Sequence, residues 1–240
     1  MDRKYLAFDI ETAKILPDGE QDLKSHRPLG ITCAATLAQG KGEVPIIWYS
    51  RADDDYPAGQ LNVFDVRDLV GYLIRMSESG YTILTWNGLN FDFDILAEES
   101  GMVEECKILA WNHVDMMFDF FCRRGFMVGL NSVAEGMGLS GKAEGMDGSM
   151  APRLWAEKKY GQVMEYVKQD AITTLEVALA AEKAGEVKWI TRKGTPSEQT
   201  IAGGWLQVPQ ANVLPLPDVS WIDAPLERPH FTQWIGDLGS

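Results

Sequence analysis

The pattern of apolar and polar residues predicts strands in the first fifty residues and alternating strands and helices after them. In chain order, it predicts strands over 4–11, 30–38 and 43–50, a helix over 61–79, a strand over 81–86, and helices from after 90 to about 100 and over about 130–137, 152–160 and 162–184. Residues 114–121 are ambiguous between strand and helix. This order predicts an α/β domain with a mixed sheet flanked by helices.

The composition changes after Gly185, where we expect the last long helix to end. Residues 186–240 contain four of the eight Trp and most of the Pro, with little regular periodicity. We therefore expect an enzymatic domain over 1–185 and a Trp- and Pro-rich C-terminal extension over 186–240 that packs back on it. Alternatively, some tryptophans stay accessible and stack bases or dock a partner, since base–aromatic stacking contributes roughly 1–3 kcal/mol. The tryptophans in question are Trp205, Trp221 and Trp234.

The bulk composition indicates one substantial folded core. The chain has 240 residues, of which 45% are hydrophobic and 24% are charged. Its three cysteines form no CxxC pair, no secretory signal is visible, and no apolar stretch is long enough to span a bilayer. We expect a reduced, cytoplasmic protein without a membrane partner.

The net charge of −13 argues against tight binding along a nucleic acid duplex. A site built from several carboxylates is acidic by design, however, and becomes cationic only when divalent metals fill it. Basic residues also cluster locally, at Arg123-Arg124, Lys142, Arg153, Lys158-Lys159 and Lys168. For a nucleic-acid-binding protein, this charge distribution predicts weak, local binding of a strand end.

The first of three candidate motifs is Phe8-Asp9-Ile10-Glu11-Thr12, in the first predicted strand. Alternate side chains of a strand share a face, so Asp9 and Glu11 point the same way. Two carboxylates on one face repel each other unless a cation lies between them. A strand end that simply reaches solvent is the alternative, because Asp-x-Glu is common by chance.

The second motif is Asn87-Gly88-Leu89-Asn90-Phe91-Asp92, directly after the predicted strand over 81–86. Ligands bind at strand ends in open α/β sheets. A purely local role is the alternative, since Asn-Gly forms turns, Asn90 can cap a helix, and Asp92 and Asp94 suit a helix N-terminus.

The third motif lies in the helix over 162–184, where Asp170 falls in the middle of the face that should be buried. The stripe comprises Val163, Tyr166, Val167, Asp170, Thr174, Val177 and Ala181. A buried carboxylate without a partner is costly or becomes protonated, so a cation should meet it. A metal ion is the simplest choice, and a salt bridge to an Arg or Lys from elsewhere is the alternative. Tyr166, four residues earlier, shares that face.

With these motifs in this order, the chain resembles the DEDD 3′→5′ exonucleases, in the Tyr-bearing branch that includes the proofreading domains of family-B DNA polymerases. Phe8-Asp9-Ile10-Glu11-Thr12 matches the first exonuclease motif, Asn87-x-x-x-Phe91-Asp92 the second and Tyr166-x-x-x-Asp170 the third. The His-bearing branch would need histidine where this chain has Glu165. The resemblance covers roughly residues 4–185 and implies an RNase H-like fold.

The resemblance also implies a role for each matching residue. The implied ligands of two divalent cations, Mg²⁺ or Mn²⁺, are Asp9, Glu11, Asp92 and Asp170. Tyr166 would orient the attacking water, because a tyrosine with a pKa of about 10 is a poor base at neutral pH. The implied substrate contacts are Thr12 with the terminal nucleotide, and Asn87 and Phe91 with the bases nearby.

The expected activity is hydrolysis of phosphodiester bonds at the 3′ end of single-stranded nucleic acid, releasing nucleoside monophosphates. Single-stranded DNA is favoured over RNA because the motifs resemble those of family-B polymerases. One alternative is a catalytically inactive nucleic-acid-binding module on the same fold. Another is an unrelated metal-dependent phosphoesterase that shares acidic motifs.

Several other polar residues have weaker claims on the site. Asp94 is the second choice for the role of Asp92, whose spacing fits the family better. Asp115 and Asp119 are spaced like one helix face, and either is a candidate fifth acid, although a structural role is favoured. Lys142, in a Gly-rich loop, is a candidate phosphate contact. The three histidines lack metal-ligand spacing, at His26, His113 and His230.

Overall fold

The structure is a computed structural model that describes residues 3–17, 19–20, 22–40, 44–52, 55–140 and 148–236. The strands are β1 (Lys4–Thr12), β2 (Ile31–Ala38), β3 (Ile46–Trp48), β4 (Tyr81–Thr85), β5 (Val114–Asp115), β6 (Glu186–Ile190) and β7 (Pro196–Thr200). The helices are α1 (Val63–Glu78), α2 (Asp92–Ser100), α3 (Val103–Trp111), α4 (Met116–Arg124), α5 (Leu130–Gly136), α6 (Ala151–Ala156), α7 (Tyr160–Ala184), α8 (Val208–Asn212) and α9 (Pro229–Thr232). Short 3-10 turns cover Leu23–His26 and Gly148–Met150. The predicted α/β class is confirmed.

Strand β1 lies in the middle of a mixed sheet whose order is β3-β2-β1-β4-β5. It pairs antiparallel with β2 and parallel with β4, and β5 continues the parallel half. Its side chains alternate between two cores, with Phe8 and Ile10 in one and Ala7 in the other. Asp9 and Glu11 therefore lie on the same face of the sheet as Ala7. The parallel pairing brings the carboxyl ends of β1 and β4 to one edge.

The long helix α7 packs across the face of the sheet to which Asp9 and Glu11 point. Every residue of its predicted apolar stripe is buried, including Tyr166 and Asp170. The helix ends at Gly185, whose φ of 73° suits glycine at a helix C-terminus. Burial of this stripe against the sheet therefore places a carboxylate opposite the end of β1.

The residues after Gly185 contribute to both cores, and they include the β6–β7 hairpin and the short helices α8 and α9. Trp205 and Phe231 are fully buried. Trp234 is half-buried and donates its indole N–H to the carbonyl of Leu89 over 2.7 Å. Trp221 is 65% exposed, so it is the most accessible of the three tryptophans considered above. The division at Gly185 into a domain and an extension stays a prediction.

Some local predictions were incomplete. Helix α3 was not predicted, because Val103 and Ile108 are exposed apolar residues that obscure its stripe. The ambiguous segment over 114–121 is a two-residue strand followed directly by α4. The β6–β7 hairpin was also missed. No helix in the described part of the chain is both long and apolar enough to cross a membrane.

Candidate active site

Three carboxylates converge at the carboxyl end of β1. Asp9, Glu11 and Asp170 each offer an oxygen atom, and these atoms all lie within 4.8 Å of one another. Glu11 and Asp170 are buried, and Asp9 is partly buried. Carboxylates at this separation repel each other when ionised, and a divalent cation with a preference for oxygen ligands would relieve that repulsion. The donor set therefore fits the metal that the sequence implies.

Asp92, the fourth predicted acid, lies beside this group but outside the set of three. It is the first residue of α2 and is 2% exposed. Its Oδ1 accepts a hydrogen bond of 3.0 Å from the backbone N–H of Ile10, the residue between Asp9 and Glu11. Burial raises the pKa of Asp92 to about 7, against the opposing effect of the Ile10 hydrogen bond. The neighbouring carboxylates of Asp115 and Asp170 raise it further.

A cavity of about 740 Å³ opens over the carboxylates, and nearly all the predicted site residues line it. Those that line it are Asp9, Glu11, Thr12, Asn87, Phe91, Asp92, Tyr166 and Asp170. Tyr166 is 4% exposed, one helical turn before Asp170 on the buried face of α7. Lys142 lies outside the described residues. Three sequence motifs that are far apart in the chain therefore form one concave site.

Asn87 follows β4 with a left-handed backbone conformation, φ 75°. Asparagine is among the few residues that tolerate this conformation. Its side-chain Oδ1 is buried and has no hydrogen-bond partner within the described part of the chain. Asn87 also lines the cavity, so a side chain with an unsatisfied buried acceptor lies beside the space for a ligand.

One wall of the cavity was not predicted from the sequence. It comes from the segment after β1 and includes Lys14, Leu16, Pro17 and Leu23. The cavity is also lined by Arg153 of α6 and by Glu157 and Lys159, which lie between α6 and α7. The only sequence signal that this segment after β1 lines the cavity is that it directly follows the first motif. Lys14, Arg153 and Lys159 place positive charge around the acidic centre.

The structure corrects one local interpretation of the second motif, the Asn90 cap, and agrees with another, because Asp94 lies in the first turn of α2. Asn90 does not cap α2, since Phe91 occupies the N-cap position, and the Asn90 side chain accepts a hydrogen bond of 2.9 Å from Lys24. Asp94 is not among the described residues that line the cavity. It forms ion pairs with Lys24, at 3.0 Å, and with Arg27. Asp94 thus anchors the segment before β2 to α2.

His113, Asp115 and Asp119 are buried outside the carboxylate group. Burial lowers the pKa of His113 to about 3, which keeps the ring neutral. Its Nδ1 lies 2.6 Å from the carbonyl of Ala110, a contact in which the ring N–H donates. Asp119 binds Arg123 on its own helix. The histidine therefore has the structural role expected from its sequence context.

Comparisons with known proteins agree with the fold. A family model described as the RNase H superfamily matches residues 52–180, which is more than half of the chain and includes Asp92, Tyr166 and Asp170. Among solved structures, the chain is similar to the family B DNA polymerase from the hyperthermophilic archaeon Pyrobaculum calidifontis, with 18% sequence identity and a TM-score of 0.53. The similarity covers 76% of this chain and 25% of the polymerase chain. This chain thus spans about a quarter of that protein. A search of curated proteins found no match.

Proposed function

The chain belongs to the RNase H superfamily, and from this premise we propose that it is a metal-dependent exonuclease that removes nucleotides from the 3′ end of a single strand. The observation that carries the proposal is the convergence of Asp9, Glu11 and Asp170 at the end of β1, with oxygen atoms within 4.8 Å of one another. Asp92 and Tyr166 line the same cavity. The three motifs occur in the order found in the Tyr-type DEDD exonucleases.

The acidic residues would hold two divalent cations, Mg²⁺ or Mn²⁺. When bound, the cations would favour hydroxide formation from water and offset negative charge on the reacting phosphate. The carboxylates of Asp9, Glu11 and Asp170 are grouped closely enough to share such a cation. Asp92 would complete the ligand set through the oxygen that does not bind Ile10.

The remaining residues of the cavity would position the substrate and the water. The hydroxyl of Tyr166 would orient the water whose oxygen attacks phosphorus as the bond from phosphorus to the 3′ oxygen breaks. That 3′ oxygen takes up a proton and becomes the new strand end, and a nucleoside 5′-monophosphate leaves. Thr12 and Phe91 would contact the terminal nucleotide, and Asn87 would contact the bases nearby.

The shape and charge of the cavity favour a single strand. A volume of about 740 Å³ is within the range of small-molecule sites, and it suits a terminal nucleotide better than a duplex. Lys14 and Arg153 at its walls would meet backbone phosphates. With a net charge of −13, binding is expected to be weak and local. Single-stranded DNA is the favoured substrate, with RNA as the alternative.

The test uses a 5′-labelled DNA oligonucleotide with Mg²⁺, a copy with a bulky 3′ block, and a circular single strand. The proposal expects a stepwise ladder from the free 3′ end and no digestion of the other two. Cutting of the circle would identify an endonuclease instead. Binding without cutting would identify an inactive binding module, and activity only on small phosphoesters would identify a different phosphoesterase. The same oligonucleotide made of RNA decides the preferred strand.

A further inference from the structure

Three successive backbone N–H groups in the loop between β4 and α2 are bound by side chains from the ends of β4 and β5. They belong to Asn87, Gly88 and Leu89, in the motif that supplies Asn87 and Asp92 to the cavity. Loop amides elsewhere are commonly satisfied by water or by neighbouring backbone. The backbone hydrogen bonds of the sheet end before this loop, and buried side-chain oxygens accept hydrogen bonds from its N–H groups instead.

Asp115 binds two of the three groups. Its Oδ1 accepts hydrogen bonds of 3.0 Å from the N–H groups of Asn87 and Phe118, and its Oδ2 accepts one of 2.9 Å from Leu89. The residue is 1% exposed and is the N-cap of α4. One buried carboxylate therefore connects the start of α4 to the loop of the second motif.

Thr85 binds the third of these N–H groups, which belongs to Gly88. Its Oγ1 accepts a hydrogen bond of 3.1 Å from Gly88 and lies 3.0 Å from Nε2 of His113. Because Nδ1 of His113 donates to a carbonyl, its Nε2 accepts the proton of the Thr85 hydroxyl. A Cβ atom at Gly88 would lie 2.5–2.6 Å from Thr85 side-chain atoms, so this position requires glycine.

We propose that Asp115 is a positioning residue for catalysis, which holds the loop so that Asn87 and Asp92 face the reacting phosphate. It does not line the cavity among the described residues, and it acts through the backbone of Asn87 and Leu89. The left-handed conformation of Asn87, φ 75°, is fixed by this contact on its N–H. Residues that orient metal ligands in this indirect way typically change metal affinity or activity by about 10- to 100-fold when replaced.

The inference rests on the proposed nuclease function, and α4 offers a matched control. Asp119 is one turn after Asp115, is also fully buried, and also accepts a backbone N–H, from Leu206 over 3.1 Å. It binds Arg123 and the C-terminal region, and among the described residues no hydrogen bond or ion pair joins it to the loop over 86–91. Replacing either aspartate therefore disturbs a buried carboxylate, at the N-cap of α4 for Asp115 and one turn later for Asp119.

The experiment compares Asp115→Asn with Asp119→Asn on a 5′-labelled oligonucleotide, with kcat, KM and the Mg²⁺ concentration for half-maximal rate as readouts. We expect Asp115→Asn to lower kcat by about 10- to 100-fold and to raise the Mg²⁺ requirement. Asp119→Asn should leave both values within about threefold of wild type, even where its melting temperature falls more. Equal effects of the two variants on kcat and on the Mg²⁺ requirement would overturn the proposal.

Two further readouts do not depend on cleavage. Hydrogen exchange measured by mass spectrometry should show the peptide over 86–92 protected in the wild type and in Asp119→Asn, and unprotected in Asp115→Asn. Calorimetric titration with Mn²⁺ should show weaker binding only in Asp115→Asn. If the wild type cuts no strand, the proposed function fails while these readouts still test Asp115. Fast exchange of this peptide in the wild type would overturn the inference without any variant.

Discussion

The backbone N–H of Ile10 donates a hydrogen bond of 3.0 Å to Oδ1 of Asp92 across 82 positions of sequence. Ile10 lies between Asp9 and Glu11, so this bond fixes the acid of the second motif beside both acids of the first. Strand β1 thereby sets the position of three of the four proposed metal ligands. The contact engages Oδ1 and leaves the second oxygen of Asp92 outside the bond to Ile10.

The raised pKa of Asp92 predicts a pH dependence of stability in the metal-free protein. Burial moves this pKa from its ordinary 3.8 to about 7, so between these values the folded state binds more protons than the unfolded state. The contribution of Asp92 to stability is therefore present below about pH 4 and is lost as the pH rises through about 7. In Asp92→Asn, which keeps an oxygen for Ile10, this loss should be absent.

The measurement is urea unfolding in the presence of a chelator from pH 5 to pH 8, with wild type and Asp92→Asn side by side. Asp115, whose pKa is raised to about 6 by burial, acts with the same sign, and His113 acts with the opposite sign below about 6.5. Because the Asp115 carboxylate raises the pKa of Asp92, the difference between the two proteins measures Asp92 together with its interaction with Asp115. As the pH rises from 5 to about 7, the free energy of unfolding of the variant should increase relative to that of the wild type. Above about pH 7 the two curves should run parallel. Parallel curves over the whole range would contradict the prediction.

Removal of an acid from the group of three should abolish activity without unfolding the protein. Asp9→Ala or Asp170→Ala should reduce turnover by about 1,000-fold or more, since metal binding contributes several kcal/mol of charge stabilisation to the transition state. The melting temperature without metal should stay the same or rise, because each change relieves carboxylate repulsion. A chelator should stop the wild type. The control is Glu176→Gln, which changes an exposed acid on α7 and should leave turnover unchanged. Full activity of Asp9→Ala or Asp170→Ala would contradict the proposed metal site.

Tyr166→Phe should give a smaller effect than loss of an acid. The change removes one hydroxyl from a buried side chain and leaves the ring in place. We expect turnover to fall by roughly one to three powers of ten, which is the scale of one catalytic hydrogen bond. Single-turnover kinetics at saturating Mg²⁺ and substrate measure this step. A rate equal to that of the wild type would show that Tyr166 only packs against its neighbours.

The parts of the site that could be predicted from the sequence are those with a local pattern. The alternation of side chains predicts which way Asp9 and Glu11 point, and the helical stripe does the same for Asp170. Both directions agree with the structure. Burial of that stripe also follows from periodicity alone. The mixed sheet follows from the order of the elements, and the RNase H-like fold agrees with the comparisons.

The rest depends on contacts that no local pattern encodes. The bond between Ile10 and Asp92 and the binding of Asn90 by Lys24 join distant segments. Asn90 has the residue type of a helix cap, but the helix starts one residue too late for it, and a lysine from another segment takes its side chain. Asp115 was ambiguous for a similar reason, because its three backbone partners lie on two separate elements.

The buried aromatic residues of the C-terminal region predict that it stabilises the core. The ring of Phe231 lies 4.6 Å from that of Phe121 and 5.4 Å from that of Phe118, both on α4, and it is fully buried. Phe231→Ala should therefore lower the free energy of unfolding by about 3–5 kcal/mol, as large-to-small changes in a packed core do. Trp221→Ala is the control, since Trp221 is 65% exposed and should cost within about 0.5 kcal/mol. Urea unfolding measures both, and a Phe231→Ala effect as small as that of Trp221→Ala would show that this region does not support the core.

Fluorescence anisotropy with a labelled oligonucleotide tests whether Trp221 binds the substrate. An unchanged affinity in Trp221→Ala fits a covering role, whereas weaker binding at unchanged stability would show that this ring stacks on a base.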